Sequence, residues 1–345
     1  MTKIKLTEYS HSAGCGCKIA PNILEKILHS SFTKIKDKNL IVGNDTKDDA
    51  AVYDLGNGNG LISTVDFFMP IVDDAFQFGQ IAAANSISDI YAMGGKPILA
   101  TAILGWPISK LSPELAQEVI SGAREKCKEA GIALAGGHSV DALEPMFGLS
   151  VNGTIEIKNL KKNSTCKNGD LIYITKKLGV GILATALKRG VISHPHQIAW
   201  IEQLTKLNSV GTEFGKLDQV TAMTDITGFG LLGHLIEMLE GADLSAALSY
   251  SDIPLIEGVT EYSSKMIVPD NLYRNWNSYE KKVNNIGPES FFTLNDPQTN
   301  GGLLVTIQAN FQKEFEDILK ANQLSEFAKP IGKVTEKGEF RVQLI

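Results

Sequence analysis

The stretch STVDFFMPIVDDAFQFGQIAAANSISDIYAMGGKP, Ser63 to Pro97, predicts a strand that leads into a helix. The strand belongs to the apolar run Leu61 to Val72, which is rich in β-branched and aromatic residues. The helix, Phe78 to Met93, carries apolar residues at helical spacing. The same alternation continues with strands at Ile98 to Trp106 and Met146 to Ile157 and a helix at Ser112 to Gly131. We therefore predict an α/β (α+β) domain.

A second domain is predicted beyond the segment LKKNSTCKNGD, Leu160 to Asp170. Its charged and turn-forming residues break the hydrophobic periodicity, as is typical of a linker. The chain then resumes with LIYITKKLGVGILATAL, a strand and a glycine turn into a helix, and ends with the strand LLVTIQ and a helix at Phe311 to Ala321. We expect an arm over residues 1–20, an N-terminal domain over 21–160 and a C-terminal α/β domain over 161–345.

Composition excludes several classes of protein. The 345 residues include 39 acidic and 33 basic ones, for a formal charge of -6, and no basic block indicates a nucleic-acid partner. We also expect no membrane association, because no run has the length of a signal-peptide core or a membrane helix. The four cysteines do not form a disulfide framework, so we expect free thiols and a cytoplasmic location.

Four aspartates interrupt otherwise apolar or glycine-rich segments: Asp49, Asp66, Asp89 and Asp225. Burying an unpaired carboxylate costs several kcal/mol or shifts its pKa, so each needs a partner. A surface position or a salt bridge would explain any one of them. Together they fit a Mg²⁺ site, in which carboxylates share the cation with substrate phosphates. Only tertiary folding can bring them together.

If this protein binds a nucleotide, it does so without a P-loop, because the chain contains no GxxxxGK[ST]. The segment AGGHS, Ala135 to Ser139, offers glycine amides and a hydroxyl, which favours an anion-binding turn; a purely structural turn is the alternative. The HPH of His194 to His196 is not interpreted as a metal site.

The segment GCGCK, Gly14 to Lys18, places two thiols and an ammonium between glycines. A zinc site is disfavoured because Cys127 and Cys166 lie far away in the sequence. A disordered tail with incidental cysteines is a second alternative. An adjacent lysine lowers a thiol pKa, which predicts a reactive sulfur on an exposed, mobile segment.

The longest motifs identify a family. SAGCGCKIAP, VGNDTKDDAAVYDLGNG, the stretch quoted first, GIALAGGHSVDA, AMTDITGFGLLGHL and LNDPQTNGGLL closely resemble selenide, water dikinase, also called selenophosphate synthetase. The resemblance implies an enzyme that converts ATP, selenide and water to selenophosphate, AMP and orthophosphate, and so supplies selenium for selenocysteine and selenouridine synthesis. It also implies Mg²⁺ as cofactor and a two-domain fold similar to aminoimidazole ribonucleotide synthetase. The expected assembly is a homodimer formed through the N-terminal domains, with a selenium-delivery protein as a further candidate partner.

The resemblance also implies roles for individual residues. Cys15 matches the catalytic cysteine or selenocysteine and Lys18 the essential lysine, while Cys17 matches a second cysteine without an assigned role. The implied magnesium ligands are Asp49, Asp89 and Asp225. The implied ATP contacts are Lys18, Thr46, Lys47, Asp48, Asp66, Asp89, Gly137, His138 and Ser139. Asn300 stands where we expect the family to have serine.

Two other functions fit parts of the sequence. One is another ATP enzyme on the same fold, such as a small-molecule kinase or an amidine-forming synthetase, and GCGCK argues against it. The other is a noncatalytic paralogue that binds nucleotide. That protein would lack the cysteine or the metal aspartates, and all of them are present here.

Overall fold

In the computed structural model, the described residues are 4–11, 13–19, 37–43 and 48–345, together with Ile23 and Ile27. They form two β-sheets with helices packed against them. No helix among these residues is both long and apolar enough to cross a membrane.

The first sheet has six strands in the order β1-β2-β3-β6-β4-β5. Only β4 and β5 pair in parallel, and the other neighbours are antiparallel. The strands of this sheet are β1 (Leu40–Val42), β2 (Ala51–Asp54), β3 (Asn59–Phe68), β4 (Lys96–Trp106), β5 (Ala133–Asp141) and β6 (Met146–Glu156). The predicted strands at Leu61, Ile98 and Met146 are therefore correct to within a few residues.

Two long helices cover one face of this sheet, namely α1 (Ala75–Ala92) and α2 (Pro113–Glu129). Asp74 caps α1, because its side chain accepts a hydrogen bond from the Gln77 amide at 3.0 Å. Helix α2 begins at Pro113 after Ser112, as the sequence predicts. Most of α1 is buried, since it also packs against α2 and against strands of both sheets.

The second sheet has seven strands in the order β10-β13-β9-β12-β7-β11-β8. Its strands are β7 (Leu171–Ile174), β8 (Val220–Asp225), β9 (Ser245–Leu248), β10 (Val283–Asn284), β11 (Leu303–Ile307), β12 (Gly332–Thr335) and β13 (Val342–Leu344). The remaining helices are α3 (Val180–Lys188), α4 (His194–Thr205), α5 (Gly211–Gly215), α6 (Gly230–Ala242), α7 (Val259–Ser264), α8 (Asn271–Tyr279), α9 (Pro288–Leu294) and α10 (Gln312–Ala321).

The segment from Leu160 to Asp170 forms neither a strand nor a helix, in agreement with the sequence. It is nevertheless packed against the protein: Lys161, Asn163 and Cys166 are buried, and the Lys161 ammonium donates to the Leu217 carbonyl at 2.8 Å. This segment is therefore a fixed connection between the two sheets.

The predicted anion-binding turn at Ala135 to Ser139 is wrong. These residues lie within β5, where Gly137, His138 and Ser139 pair with Ala102, Ile103 and Leu104 of β4. Glycine is required for close strand approach, since a Cβ at Gly137 would lie 2.3 Å from the Ala102 carbonyl oxygen.

Helices α1 and α2 cross at two glycines. A Cβ at Gly79 would lie 1.8 Å from the Val119 carbonyl oxygen, and one at Gly122 would lie 1.9 Å from the Phe76 carbonyl oxygen. The backbones therefore approach more closely than any side chain permits, which fixes the position of α1 over the sheet.

We predict that Gly79→Ala lowers the free energy of unfolding by about 1–3 kcal/mol or more, because the helices must separate to admit the methyl group. The matched control is Gly338→Ala, whose Cβ would meet nothing closer than 3.6 Å. It should change stability by less than about 1 kcal/mol. Urea unfolding of both variants measures the difference, and equal midpoints would show that the crossing is not tight.

Candidate active site

Three of the four aspartates converge where the two sheets meet. Asp49 lies just before β2, Asp89 lies in the last turn of α1, and Asp225 ends β8. One carboxylate oxygen from each lies within 4.8 Å of the others. Residues far apart in the chain thus form one cluster that offers oxygen ligands to a hard cation.

Each carboxylate of the cluster accepts a hydrogen bond from a neighbouring hydroxyl group. These bonds run from Thr64 Oγ1 to Asp89 Oδ2, from Ser88 Oγ to Asp225 Oδ2 at 2.5 Å, and from Thr224 Oγ1 to Asp49 Oδ1 at 2.7 Å. Asn208 in turn donates to Ser88 Oγ at 2.8 Å. The carboxylates are therefore oriented by the fold before any ligand binds.

Burial and mutual repulsion disfavour the charged form of these groups. Burial, followed by the neighbouring carboxylates, raises the pKa of Asp49 and Asp89 well above the usual range. Burial also raises the pKa of Asp225 to about 6, although the Ser88 hydroxyl and Lys18 oppose the shift. In addition, Asp49 Oδ2 is buried without a hydrogen-bond partner among the described residues. This cluster needs a cation to hold its full charge.

The fourth aspartate, Asp66, lies on β3 beside the cluster and pairs with the arm. Lys18 Nζ lies 3.6 Å from Asp66 Oδ1, and Asn85 Nδ2 donates to Asp66 Oδ2 at 2.7 Å. Burial acts to lower the pKa of Lys18, but Asp66, Cys15 and the cluster carboxylates outweigh it and raise that pKa above its ordinary value. Lys18 therefore carries a permanent positive charge at the site.

Cys15 is only 1% exposed, so the predicted exposed sulfur is wrong for this conformation. Its Sγ donates to Asn85 Oδ1 at 3.4 Å, and its amide donates to Thr299 Oγ1 at 2.9 Å. Glycines explain the difference, because they permit close packing of the arm as well as flexibility. A Cβ at Gly228, for example, would lie 2.7 Å from the Cys15 carbonyl oxygen and 3.2 Å from Lys18 Cδ.

The other described thiols differ from Cys15. Cys127 lies in α2 and Cys166 in the connection between the sheets, and both are buried. Burial raises the pKa of Cys127 to about 11 and that of Cys166 to about 12, so both remain protonated and unreactive. The side chain of Cys17 lies outside the described part of the chain.

Asn300 connects the site to the end of helix α4. Its amide donates to Asn85 Oδ1 at 2.7 Å, and its side chain donates to the carbonyls of Leu204 and Lys206 at 2.6 and 2.9 Å. Its backbone adopts a left-handed conformation (φ 47°), which asparagine tolerates better than most residues. Asparagine at position 300 thus has a structural reason in this chain.

Several predicted ATP contacts are not joined to the carboxylate cluster or lie outside the described residues. Thr46 and Lys47 lie outside them, whereas Asp48 is described and its Oδ1 accepts from the Asn163 amide at 2.8 Å. Gly137, His138 and Ser139 are exposed on β5, and the described hydrogen bonds and ion pairs do not join them to the carboxylate cluster. His196 of the HPH segment bonds the Tyr262 hydroxyl at 2.9 Å.

Sequence reasoning missed the residues that hold the site together. Asn85 and Ser88 lie in the segment ANSISD of α1 and are completely buried. Buried polar side chains in an alanine-rich helix need partners, and this was the available signal. No pattern distinguished Thr299 or Asn208, because their roles depend on contacts between distant segments.

Two family patterns match the chain. That of the AIR synthase related protein, N-terminal domain, matches residues 47–155, and that of the AIR synthase related protein, C-terminal domain, matches residues 167–345. The expected two-domain fold similar to aminoimidazole ribonucleotide synthetase is therefore confirmed.

Solved structures share this fold at low sequence identity. A thiamine-monophosphate kinase from Stenotrophomonas maltophilia is 18% identical with a TM-score of 0.64, and the match covers 90% of this chain and 92% of that one. The hydrogenase maturation protein HypE in complex with ATP is 18% identical with a TM-score of 0.63, covering 88% and 83% of the two chains. At this identity the likeness shows the fold alone.

Curated relatives are much closer, and each is a selenide, water dikinase. The relative from Photorhabdus laumondii is 52% identical over 99% of this chain and 98% of its own length. That from Salmonella typhi is 53% identical over 98% and 96%, and that from Colwellia psychrerythraea is 50% identical over the full length of both chains. The resemblance seen in the motifs thus extends over the whole sequence, and the chain belongs to the selenide, water dikinase family.

Proposed function

We propose that this protein makes selenophosphate from selenide, ATP and water, with AMP and orthophosphate as the other products, and that the described site performs the reaction. The observation that supports this assignment is the meeting of Asp49, Asp89 and Asp225 with Cys15 and Lys18 in one place. A cation site, a fixed positive charge and a thiol are the groups that phosphoryl transfer to a soft nucleophile requires.

We infer that Asp49, Asp89 and Asp225 hold Mg²⁺. The donor set fits, because all three are hard oxygen ligands, their oxygens lie within 4.8 Å of one another, and one oxygen of Asp49 is buried without a hydrogen bond from the residues that the structure describes. When bound, Mg²⁺ neutralises negative charge on phosphate oxygens and replaces the function of a P-loop.

Lys18 and Asp66 are proposed to contact the nucleotide. Lys18 carries its positive charge on the arm beside the cluster, where it would stabilise charge on the phosphates. Asp66 holds Lys18 in place until ATP arrives. Thr46 to Asp48 and Gly137 to Ser139 remain proposed as further ATP contacts.

The proposed reaction has two steps. Selenide attacks the γ-phosphorus of ATP, so that a Se–P bond forms and the bond to the bridging oxygen breaks, leaving ADP at the site. Water then attacks the β-phosphorus of ADP and releases orthophosphate and AMP. Cys15 is proposed to hold or deliver selenium in the first step, and its burial against the rest of the protein keeps water from competing.

We propose a homodimer formed through the outer face of the first sheet. Val65 and Phe67 alternate along β3 on that face and are 54% and 49% exposed. Leu99 lies on the same face. His138 does so too, because the strand pairings align it across the sheet with Phe67. An apolar sheet face of this kind is typical of a protein interface.

The remaining assignments concern the whole protein. The residues 21–160 would form the ATP-binding and dimerisation domain, 161–345 the second α/β domain, and 1–20 a mobile catalytic arm. A cytoplasmic location suits a reaction that uses ATP and a reduced thiol at Cys15. A selenium-delivery protein is proposed as a further partner of this protein.

The thiol assignment predicts that Cys15→Ala lowers selenide-dependent AMP formation by at least about 10²-fold, because selenium is no longer held at the site. Anaerobic assays with ATP and Mg²⁺, with and without selenide, would follow AMP and the phosphorus signal of selenophosphate. Cys127→Ala is the matched control and should retain activity. Full activity in Cys15→Ala would refute the delivery role, and ADP as the final product without selenide dependence would refute the function.

The lysine assignment predicts that Lys18→Gln lowers the rate of AMP formation at saturating substrate by about 10²–10³-fold, because a fixed charge at the phosphates is lost. Lys265→Gln removes an exposed lysine that pairs with Glu261 one helical turn earlier, and it should leave the rate unchanged. Equal rates in the two variants would contradict a role of Lys18 at the phosphates.

The raised pKa of Asp225, about 6, predicts how the stabilisation of the folded protein by Mg²⁺ depends on pH. Because the folded pKa lies above the unfolded one, protonation of Asp225 stabilises the metal-free fold at low pH, and this contribution is lost as the pH rises through the folded pKa. Mg²⁺ should therefore raise the melting temperature more at about pH 7.5 than at about pH 5, where protons compete with it. Asp225→Asn should reduce the difference, because one of the three carboxylates at which protons compete with Mg²⁺ is removed, whereas an equal Mg²⁺ effect at both pH values in the wild-type protein would contradict the cation site.

A further inference from the structure

A cleft of about 380 Å³ lies beside the arm, and its described lining residues do not include the carboxylates of the cluster. Its walls come from the arm, from helix α3, and from the segment that leads into helix α8. Gly16 of the arm and Thr299 form its inner wall. The cleft is large enough to admit a small molecule or a hydrated ion.

Positive charge predominates around this cleft. Lys188, Arg189 and Arg274 line it, and among the described lining residues Asp270 is the one carboxylate. The Lys188 ammonium donates to the Ser10 carbonyl at 3.0 Å and Arg189 Nη1 to the Met266 carbonyl at 3.2 Å, and such bonds leave the charges in place. Within the described part of the chain, Arg274 forms no ion pair. A protein with a net charge of -6 therefore presents a local cationic surface here.

The two residues of the inner wall are direct neighbours of Cys15. Gly16 follows Cys15 directly, and Thr299 Oγ1 accepts a hydrogen bond from the Cys15 amide at 2.9 Å. Gly16 leaves space, since a Cβ at this position would meet only Pro297 Cγ at 3.9 Å. Cys15 is thus adjacent in the chain to Gly16 and hydrogen-bonded to Thr299, two residues that line the cleft.

The carboxylate side of Cys15 is the proposed ATP side. Lys18 pairs with Asp66 there, and Asp89 and Asp225 belong to the proposed Mg²⁺ site, so the cations of that side would be engaged with carboxylates and phosphates. The cationic cleft attracts anions and raises their local concentration.

We propose that this cleft is the port through which selenide, as the hydrogen selenide anion, reaches Cys15. The proposal rests on the proposed function and adds to it the route of the selenium substrate. Lys188, Arg189 and Arg274 attract the anion, and the Gly16 wall admits it to the thiol. The two substrates would thus reach Cys15 by different routes, with the ATP phosphates at the carboxylates and selenide at the cationic cleft.

Charge reversal at the rim tests the proposal. Arg274→Glu should lower kcat/KM for selenide ~10-fold at low ionic strength, and added salt should reduce the difference from the wild-type protein. The maximal rate at saturating selenide and the KM for ATP should stay within about twofold, since the chemical site is unchanged. Arg124→Glu makes the same charge change on the exposed surface of α2 and is the matched control.

Arg189→Glu is an independent second variant, with the same expected result, should Arg274→Glu fold poorly. A kcat/KM for selenide equal to that of Arg124→Glu in both variants would overturn the proposal. An equal fall in kcat/KM for ATP would also overturn it, because it would indicate a general disturbance of the site. Absence of selenide-dependent AMP formation in the wild-type protein is a separate outcome, and it would defeat the proposed function itself.

Discussion

The buried cluster of Asp49, Asp89 and Asp225 is the constraint on which the site depends. Three carboxylates whose oxygens lie within 4.8 Å of one another repel, and burial increases the cost of their charge. The surrounding fold opposes this repulsion with one hydroxyl donor for each carboxylate. The protein thus keeps an arrangement that is unfavourable without a cation, as is common at catalytic sites.

Helix α1 connects the carboxylate cluster to the other residues of the site. It carries Asp89 itself, Ser88 that bonds Asp225, and Asn85 that bonds both the Cys15 thiol and Asp66. Its close crossing with α2 fixes its position over the first sheet. One helix therefore sets the distance between the cation ligands, the thiol and the lysine of the arm, so that small shifts of α1 would affect all three.

The sequence predicted the regular elements well, because the strand at Leu61 and the helices from Phe78 and Ser112 follow hydrophobic periodicity. It also singled out the aspartates, whose charge breaks apolar runs, but their convergence depends on tertiary structure. The exposed Cys15 and the turn at Gly137 were wrong for one reason. Glycine indicates either flexibility or close packing, and only the neighbouring chain decides which of them applies. Asn85 and Thr299 act through long-range contacts that no local pattern contains.

The central claim is that three carboxylates from different parts of the chain act as one cation site for the nucleotide. Binding of Mn²⁺, measured by electron paramagnetic resonance with a nonhydrolysable ATP analogue, tests it most directly. Asp49→Asn, Asp89→Asn and Asp225→Asn should each weaken binding by at least about tenfold, since each removes one ligand. Unchanged Mn²⁺ affinity in any one of these variants would contradict the claim for that residue, and unchanged affinity in all three would refute the site.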